Sequence, residues 1–461
     1  MFKPIKDSEG QDPVYRQLAN QISELVKSAK LNPGDRLPPH REIARLVDVN
    51  VTTVTRAFAV LQKSGIVEAR PGKGSFIKSP DSKIVPRSGV TDDSGLCDLS
   101  INRAATDAYL RAVEDLLPSL ASDPRFSTIQ DYHPPEGELQ IRKAMAKWLS
   151  NTTGHNDSSR LVVVNGCQHG LSCVVDAIAQ SGDVILADAV TFHGFISICA
   201  SKGIILKSVA TDHDGMSPSA FEEACQRYSP KAVFLMPNLH NPTNVTLSEK
   251  RRDGLAIIAR QNAVFIIEDD VCGPLIKNPL PTIASKHPDI TFYVSSFSKC
   301  VAAGIRLGVV SAPIKNVEDV SAMLRINCWS TNTLVGLVIT KLIENGTLDA
   351  IISEQANELK ERHEILKSTL PSELLNSQPA SPFAWIRLPS PWRGDSFSRA
   401  AVNAGVCVLS GEVFGLDRDQ APVHAIRINT NAARSQKELQ LAASVINNLL
   451  KSGHRKALLD S

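Results

Sequence analysis

The chain has 461 residues, enough for two or three domains with a sizeable core, and its 43% hydrophobic and 21% charged residues are those of an ordinary globular protein. No apolar run approaches the roughly 18 residues that cross a bilayer, and Met1-Phe2-Lys3-Pro4-Ile5-Lys6-Asp7 is no signal peptide, so no membrane role and a cytoplasmic location are expected. A formal net charge of +2 excludes global basicity as a way of holding nucleic acid, so any such contact must come from a local patch.

Residues 13 to 77 read as one unit. Tyr15, Leu18, Ile22, Leu25 and Val26 recur with helical spacing. Pro33-Gly34-Asp35 marks a turn, and a short helix follows from Pro39 to Val47, with proline suited to its first turn. Asn50 can cap a third helix over Val51 to Lys63, which Gly65 ends. Ile66 to Arg70, the turn Pro71-Gly72-Lys73-Gly74, and Ser75-Phe76-Ile77 then make a hairpin wing. The second and third helices have helix-turn-helix spacing. Thr52, Thr53, Thr55 and Arg56 lie near the start of the third, where a recognition helix faces the major groove, and Arg41 and Lys73 are placed to reach phosphate or groove edges.

Residues 79–97, with Ser79-Pro80-Asp81-Ser82-Lys83 and Ser88-Gly89, read as a linker between a 1–78 domain and a 98–461 domain. Beyond it, Leu161–Val164, Val184–Leu186, Ile204–Leu206, Ala232–Leu235 and Val264–Ile267 are short apolar runs separated by helical patterns. That alternation predicts an α/β domain with a mostly parallel sheet covered on both faces. The last third is helix-rich around 333–345, 349–369 and 435–451, interrupted by strands at Phe383–Leu388 and Ala425–Ile428. The nine cysteines are scattered without zinc-type Cys/His spacing, so they read as reduced thiols and no metal is expected.

The chemistry concentrates in Ser296-Phe297-Ser298-Lys299-Cys300-Val301-Ala302-Ala303-Gly304-Ile305-Arg306-Leu307-Gly308. A lone Ser-Lys would be an exposed loop charge; this one comes with hydroxyls, an arginine and glycines. A lysine Schiff base to pyridoxal 5'-phosphate needs an amine, an anion cradle, a carboxylate for the pyridine nitrogen and a partner for the phenolic oxygen. Lys299 supplies the amine. Asp269 ends a buried strand and suits the pyridine nitrogen, and Asn241, after another strand, can donate to the phenolic oxygen. Gly166, Cys167 and Gln168 lie where a strand gives way to a helix, a place that suits phosphate. Phe192 can stack on the pyridine face.

Two resemblances cover nearly the whole chain. Pro13-Val14-Tyr15-Arg16-Gln17-Leu18, Leu31-Asn32-Pro33-Gly34-Asp35-Arg36-Leu37-Pro38, Arg41-Glu42-Ile43-Ala44 and Gly72-Lys73-Gly74-Ser75-Phe76-Ile77 resemble the GntR-type winged helix. The usual Ser-Arg at the recognition-helix start is Asn50-Val51 here, and the serine after Leu-Pro is Pro39, so base preferences do not carry over. Residues 98 to 450 resemble fold-type-I aminotransferases. That likeness implies the internal aldimine at Lys299, the pyridine nitrogen at Asp269, the ring oxygen at Asn241, and phosphate binding by Ser296, Ser298 and Arg306 with the glycine loop. It also implies that Arg427 grips an α-carboxylate and that Tyr132 reaches the phosphate of a partner subunit in a homodimer. The family's Asp-x-x-Tyr is Asp269-Asp270-Val271-Cys272, so a thiol stands where the tyrosine phenol would face the cofactor; Asn-Pro-Thr-Gly ends in Asn244.

A winged helix ahead of an aminotransferase-like domain is the arrangement of the MocR regulators. It implies a transcription factor that binds double-stranded operator DNA and senses an amino compound, or pyridoxal phosphate itself, through an aldimine on Lys299, in a domain-swapped head-to-tail homodimer. The missing phenol points to slow or half transamination at most. The alternative is a true aminotransferase with an appended DNA-binding domain.

Overall fold

In the computed structural model the first helices form where apolar spacing predicts them. The structure describes residues 13–27, 31, 35–63, 66–70, 74–77, 96–152, 154, 157–416 and 423–459. The turns at Pro33-Gly34 and Pro71-Gly72-Lys73, with Lys73 itself, Gly65, and nearly all of the expected linker lie outside the described residues. Contacts divide the chain into two units, 1–88 and 89–461.

In the first unit, α1 (Val14–Lys27), α2 (His40–Val47) and α3 (Val51–Lys63) share one core. Ile43 and Val47 of α2 meet Val54, Ala57, Phe58 and Leu61 of α3, all at most 1% exposed. Burying each of the larger side chains contributes about 1.5–3 kcal/mol. Asp48 takes a left-handed conformation (φ 56°) that turns the chain between α2 and α3. Strands β1 (Val67–Arg70) and β2 (Gly74–Ile77) pair antiparallel as the wing, and Arg36 bridges to Phe76 on its open edge.

The second unit centres on seven strands: β3 (Leu161–Val164), β4 (Val184–Asp188), β5 (Ile205–Val209), β6 (Ala232–Leu235), β7 (Phe265–Asp269), β8 (Thr291–Ser296) and β9 (Gly308–Ser311). Their spatial order is β3-β9-β8-β7-β6-β4-β5. Only β9 runs antiparallel to its neighbours. Strands β3 and β6 are buried along their whole length, which is why they read as unbroken apolar runs, whereas β5, at one edge, alternates exposed and covered residues. Strands β8 and β9, flanking the lysine motif, were not expected: Thr291 to Ser296 mixes hydroxyls with apolar residues, and β9 is short and begins with glycine.

A smaller sheet holds β10 (Leu375–Asn376), β11 (Phe383–Arg387), β12 (Leu409–Ser410) and β13 (Ala425–Asn429), in the order β10-β11-β13-β12. The helices Thr333–Glu344, Thr347–Thr369 and Gln436–Leu459 match the helix-rich third. One boundary moves: Cys97, expected in the linker, is already in the strand Cys97–Asp98, which pairs parallel with Val406–Cys407. The linker reading missed it because a two-residue strand carries no periodic signal.

Candidate functional site

The carboxyl ends of β7 and β8 bring the expected residues together, and the acid triplet at the end of β7 shows how a strand sorts side chains. Glu268 accepts N–H bonds from Ile283 and Ala284 (2.9 and 2.8 Å), and so holds the start of the next helix. Asp270 accepts from the Asn238 amide (2.8 Å) and the Tyr293 hydroxyl (3.1 Å). Arg252, 1% exposed, donates to Asn238 (2.6 Å) and to the Pro237 carbonyl (3.2 Å), which fixes the turn that leads to Asn241. Between these two structural acids, Asp269 receives the Cys167 thiol (3.2 Å) and the Val271 N–H (3.3 Å) on Oδ1, and Oδ2 takes no hydrogen bond among the described residues. Burial pushes Asp269 up to about 6.

Lys299 follows β8. Burial pulls its ammonium down to about 8; among the charges it feels, Arg427 lowers it further and Asp269 opposes the shift. On one side of it a glycine and an arginine meet the start of a helix. Gly166 (φ 82°) precedes the helix α4 (Cys167–Ile178), and a Cβ there would come within 2.8 Å of Arg306 Nη2, so only glycine fits. Arg306 lies across the helix start, donating to the Asn165 carbonyl (3.2 Å) and the Ser298 hydroxyl (3.4 Å). Gly166, Cys167, Gln168, Ser298 and Arg306 are thus brought together, with the unpaired N–H groups of a helix N-terminus among them. Ser296 is fully buried, and its hydroxyl accepts the Ser298 N–H (3.4 Å).

On the other side, β13 carries Arg427, 6% exposed, whose Nη1 donates to Asn241 Oδ1 (3.0 Å) and Nη2 to the Ser100 carbonyl (3.3 Å). That bond occupies the Asn241 oxygen and leaves its NH2 group to donate elsewhere. Arg427 Nε is buried with no partner. The guanidinium lies 5.1 Å from the Phe414 ring and 5.9 Å from the Phe383 ring, and burial pulls it down to about 10. Phe192 caps the start of the helix α5 (His193–Ser201) and packs against Gly194, where a Cβ would come within 2.3 Å of its ring.

Some site features escaped the sequence reading. His193 stands edge-on to Phe192 and Phe414, each 5.2 Å away, with Nδ1 buried and unpartnered. Burial, then the charges of Arg427 and Lys299, pull it down to about 3, so its ring is neutral. Its place beside Phe192 was the available signal. Phe414 and the Ser100 carbonyl had none. Cys272 is 1% exposed, in an apolar cluster with Leu239, Val271 and Phe383, and burial pushes its thiol up. Asn244, the second departure, takes φ 62°, a conformation asparagine tolerates, and its amide donates to the carbonyls of Asn376 and Phe383 (both 3.1 Å). Tyr132 is 86% exposed, its ring 5.2 Å from that of Trp329.

In the first unit Arg41, Thr52, Thr55 and Arg56 are exposed and Thr53 half-exposed. The Thr52 N–H lies 3.4 Å from the Asn50 side-chain oxygen, a loose cap. Thr55 donates to the Val51 carbonyl (3.0 Å), so its hydroxyl is partly engaged within the helix.

Chemically, the second unit gathers an amine of lowered pKa, a buried carboxylate, an arginine caged by phenylalanine rings and a helix start crossed by Arg306, while the first offers a helix face of hydroxyls and arginines. Comparison with known proteins agrees with both. Residues 94–446 match the aminotransferase class I and II family, and residues 14–77 match the bacterial regulatory proteins of the gntR family. The chain belongs to the aminotransferase class I and II family, a pyridoxal-phosphate-dependent family, and carries it behind a GntR-type helix-turn-helix domain in the arrangement of the MocR regulators. Among its relatives, the uncharacterized HTH-type transcriptional regulator YdeF of Bacillus subtilis (strain 168) is 26% identical over 97% of this chain and 96% of its own. The uncharacterized regulator YdcR of Escherichia coli (strain K12) is 27% identical over 92% and 97%. The vitamin B6 salvage pathway transcriptional repressor PtsJ of Salmonella typhimurium is 24% identical over 93% and 97%. An archaeal alanine:glyoxylate aminotransferase superimposes with a TM-score of 0.71 at 20% identity, covering 77% of this chain and 91% of the enzyme, a likeness of fold.

Proposed function

We propose that this protein is a transcriptional regulator that binds operator DNA through its winged helix and holds pyridoxal phosphate at Lys299, where an amino compound changes its DNA binding. One observation carries the reading. An amine drawn down to about 8, a buried carboxylate with an open oxygen, and a glycine-backed anion cradle converge at the ends of neighbouring strands, in a chain that begins with a DNA reader.

The residues fit the cofactor. Arg306, Ser298 and the α4 N-terminus would hold its phosphate, Asp269 its ring nitrogen, Asn241 its ring oxygen, Phe192 its ring face, and Lys299 its aldehyde carbon. When bound, the cofactor supplies an aldehyde that condenses with amines and a ring that withdraws electrons. Asp269, ionised above about 6, keeps a proton on the ring nitrogen. Arg427 receives the carboxylate of an amino-acid-like effector, and the neutral His193 and the rings around it keep water from that end. Cys272 has no phenol to hold a proton at the ring oxygen, which favours a lasting complex over rapid turnover. Tyr132, with Trp329 at 44% and Ile326 at 76% exposure, supports a homodimer in which these side chains meet the partner.

Borohydride reduction of the yellow protein followed by peptide mapping should find the pyridoxyl label on Lys299, and a label on another lysine overturns the assignment. The second reading, an aminotransferase, is favoured by the retained Arg427. Turnover of an amino donor and keto acceptor at roughly 1 per second or faster, with DNA binding indifferent to ligand, would establish it.

A further inference from the structure

A cavity of about 510 Å3 opens between the main and small sheets, and none of Lys299, Asp269, Asn241, Phe192 and Arg427 lines it. Two polar side chains, each more than nine-tenths buried, face it: Asp188, at the end of β4, and His240, the residue before Asn241. His240 Nδ1 lies 2.7 Å from the Thr243 hydroxyl. Its Nε2 is 3.4 Å from Asp188 Oδ2, but the two are not aligned as a hydrogen bond, and Nε2 has no partner. A buried imidazole nitrogen and a buried carboxylate therefore share a space with the bond between them unmade. Buried polar groups are rarely left so without a ligand, ion or water to complete them.

The charges around the cavity indicate what completes them. Its charged lining is Asp188, Asp212, Glu373 and Arg387, with His213 and His240. Asp212 is already engaged by Arg251 at 3.0 Å. Arg387 is exposed and donates to the Glu373 carbonyl at 2.5 Å. That leaves Asp188 with no lysine or arginine against it among the described residues. Met236, Leu247 and Trp385 supply apolar and aromatic lining to the same cavity. A carboxylate, an unpartnered imidazole nitrogen and an aromatic wall together suit a cationic N–H group on an apolar body.

We infer that this cavity is a second small-molecule site, taking an organic ammonium ion whose N–H is shared between Asp188 and His240 and whose apolar part lies along Trp385. The site does not depend on the cofactor reading. Because the ligand needs no aldehyde, even a tertiary amine that cannot condense at Lys299 should bind.

The test is isothermal titration calorimetry of the full-length protein with N,N-dimethylbenzylamine, a cation at neutral pH, against the neutral N,N-dimethylbenzamide. Saturable binding is expected, weakened about tenfold or more for the neutral compound and for Asp188→Asn. Lys299→Ala should bind the amine as wild type does. Thr211→Trp, at an exposed position lining the cavity, should abolish binding and carries the test if Asp188→Asn fails to fold. The inference is overturned by no saturable heat up to about 10 mM, by equal binding of the neutral compound, or by loss of binding in Lys299→Ala.

Discussion

Arg56 and Arg427, proposed to meet DNA and an effector carboxylate, stand at opposite extremes of exposure. Arg56 projects from α3 into solvent with its charge hydrated and screened by salt. Arg427 is 6% exposed, tied to Asn241 and Ser100 and caged by phenylalanine rings. The reader is an additive surface of weak, exchangeable charges. In the pocket, Asp269, Asn241 and Arg427 are desolvated groups held by their neighbours, whereas Arg306 and Gln168 at the helix start are exposed. Substitutions in the pocket should therefore act steeply and respond to pH, and those in the reader should act gradually and respond to salt.

Lys299→Ala gives the largest effect: complete loss of borohydride-fixable cofactor and of the yellow colour, read by absorbance and mass spectrometry. Arg427→Met comes next. It removes a buried charge-assisted contact worth about 3 kcal/mol, so a carboxylate-bearing amine should bind on the order of a hundredfold more weakly in a spectral titration, whereas the same amine lacking the carboxylate should lose much less. Equal losses for both compounds would dissolve the distinction between the caged and the solvated arginine.

The pH response follows from the shifted groups. Cofactor capture needs Asp269 ionised and Lys299 neutral, so its rate should climb with pH through about 6 and again through about 8, then level off. A lysine at its ordinary value would keep the rate climbing toward 10.5. The stability that the buried acids confer on the cofactor-free protein should move the other way. Glu268, raised to about 7, and Asp269 and Asp270, raised to about 6, keep protons that the unfolded chain has already released. Their contribution to thermal stability should therefore fall as pH rises from about 4 to 7, while His193, held neutral in the fold, contributes in the opposite sense. Replacing Glu268, Asp269 and Asp270 by their amides should remove the falling part from a plot of melting temperature against pH. The smallest effects belong to the reader. Arg41→Ala and Arg56→Ala should each lower the slope of log affinity against log salt by roughly 0.9, measured by fluorescence anisotropy, with the pocket's absorbance unchanged.

The same contrast governs what the sequence discloses. The reader is built from contiguous helices whose apolar spacing and turn residues are local signals, so α2, α3 and the wing are legible. In the pocket, the groups at strand ends followed by small or turn-forming residues are legible: Lys299, Asp269, Asn241 and the Gly166 loop. The Arg427–Asn241 bond joins residues 186 positions apart. Phe414 reaches His193 from a segment with no motif, and the Ser100 carbonyl is backbone; no spacing rule encodes either. Asn244 looked like a defect in a glycine motif, and only the fold shows its amide joining the turn to the small sheet.

The central claim is that the caged pocket controls the solvated reader. The direct test selects a duplex from a random pool with the full-length protein, then titrates that duplex against wild type and Lys299→Ala with and without a panel of amino acids and simple amines. Coupling of about 1–3 kcal/mol predicts that at least one amine shifts wild-type DNA affinity several-fold to a hundredfold, and that Lys299→Ala binds the duplex but ignores that amine. An unchanged affinity across the panel, or an equal shift in Lys299→Ala, would contradict it.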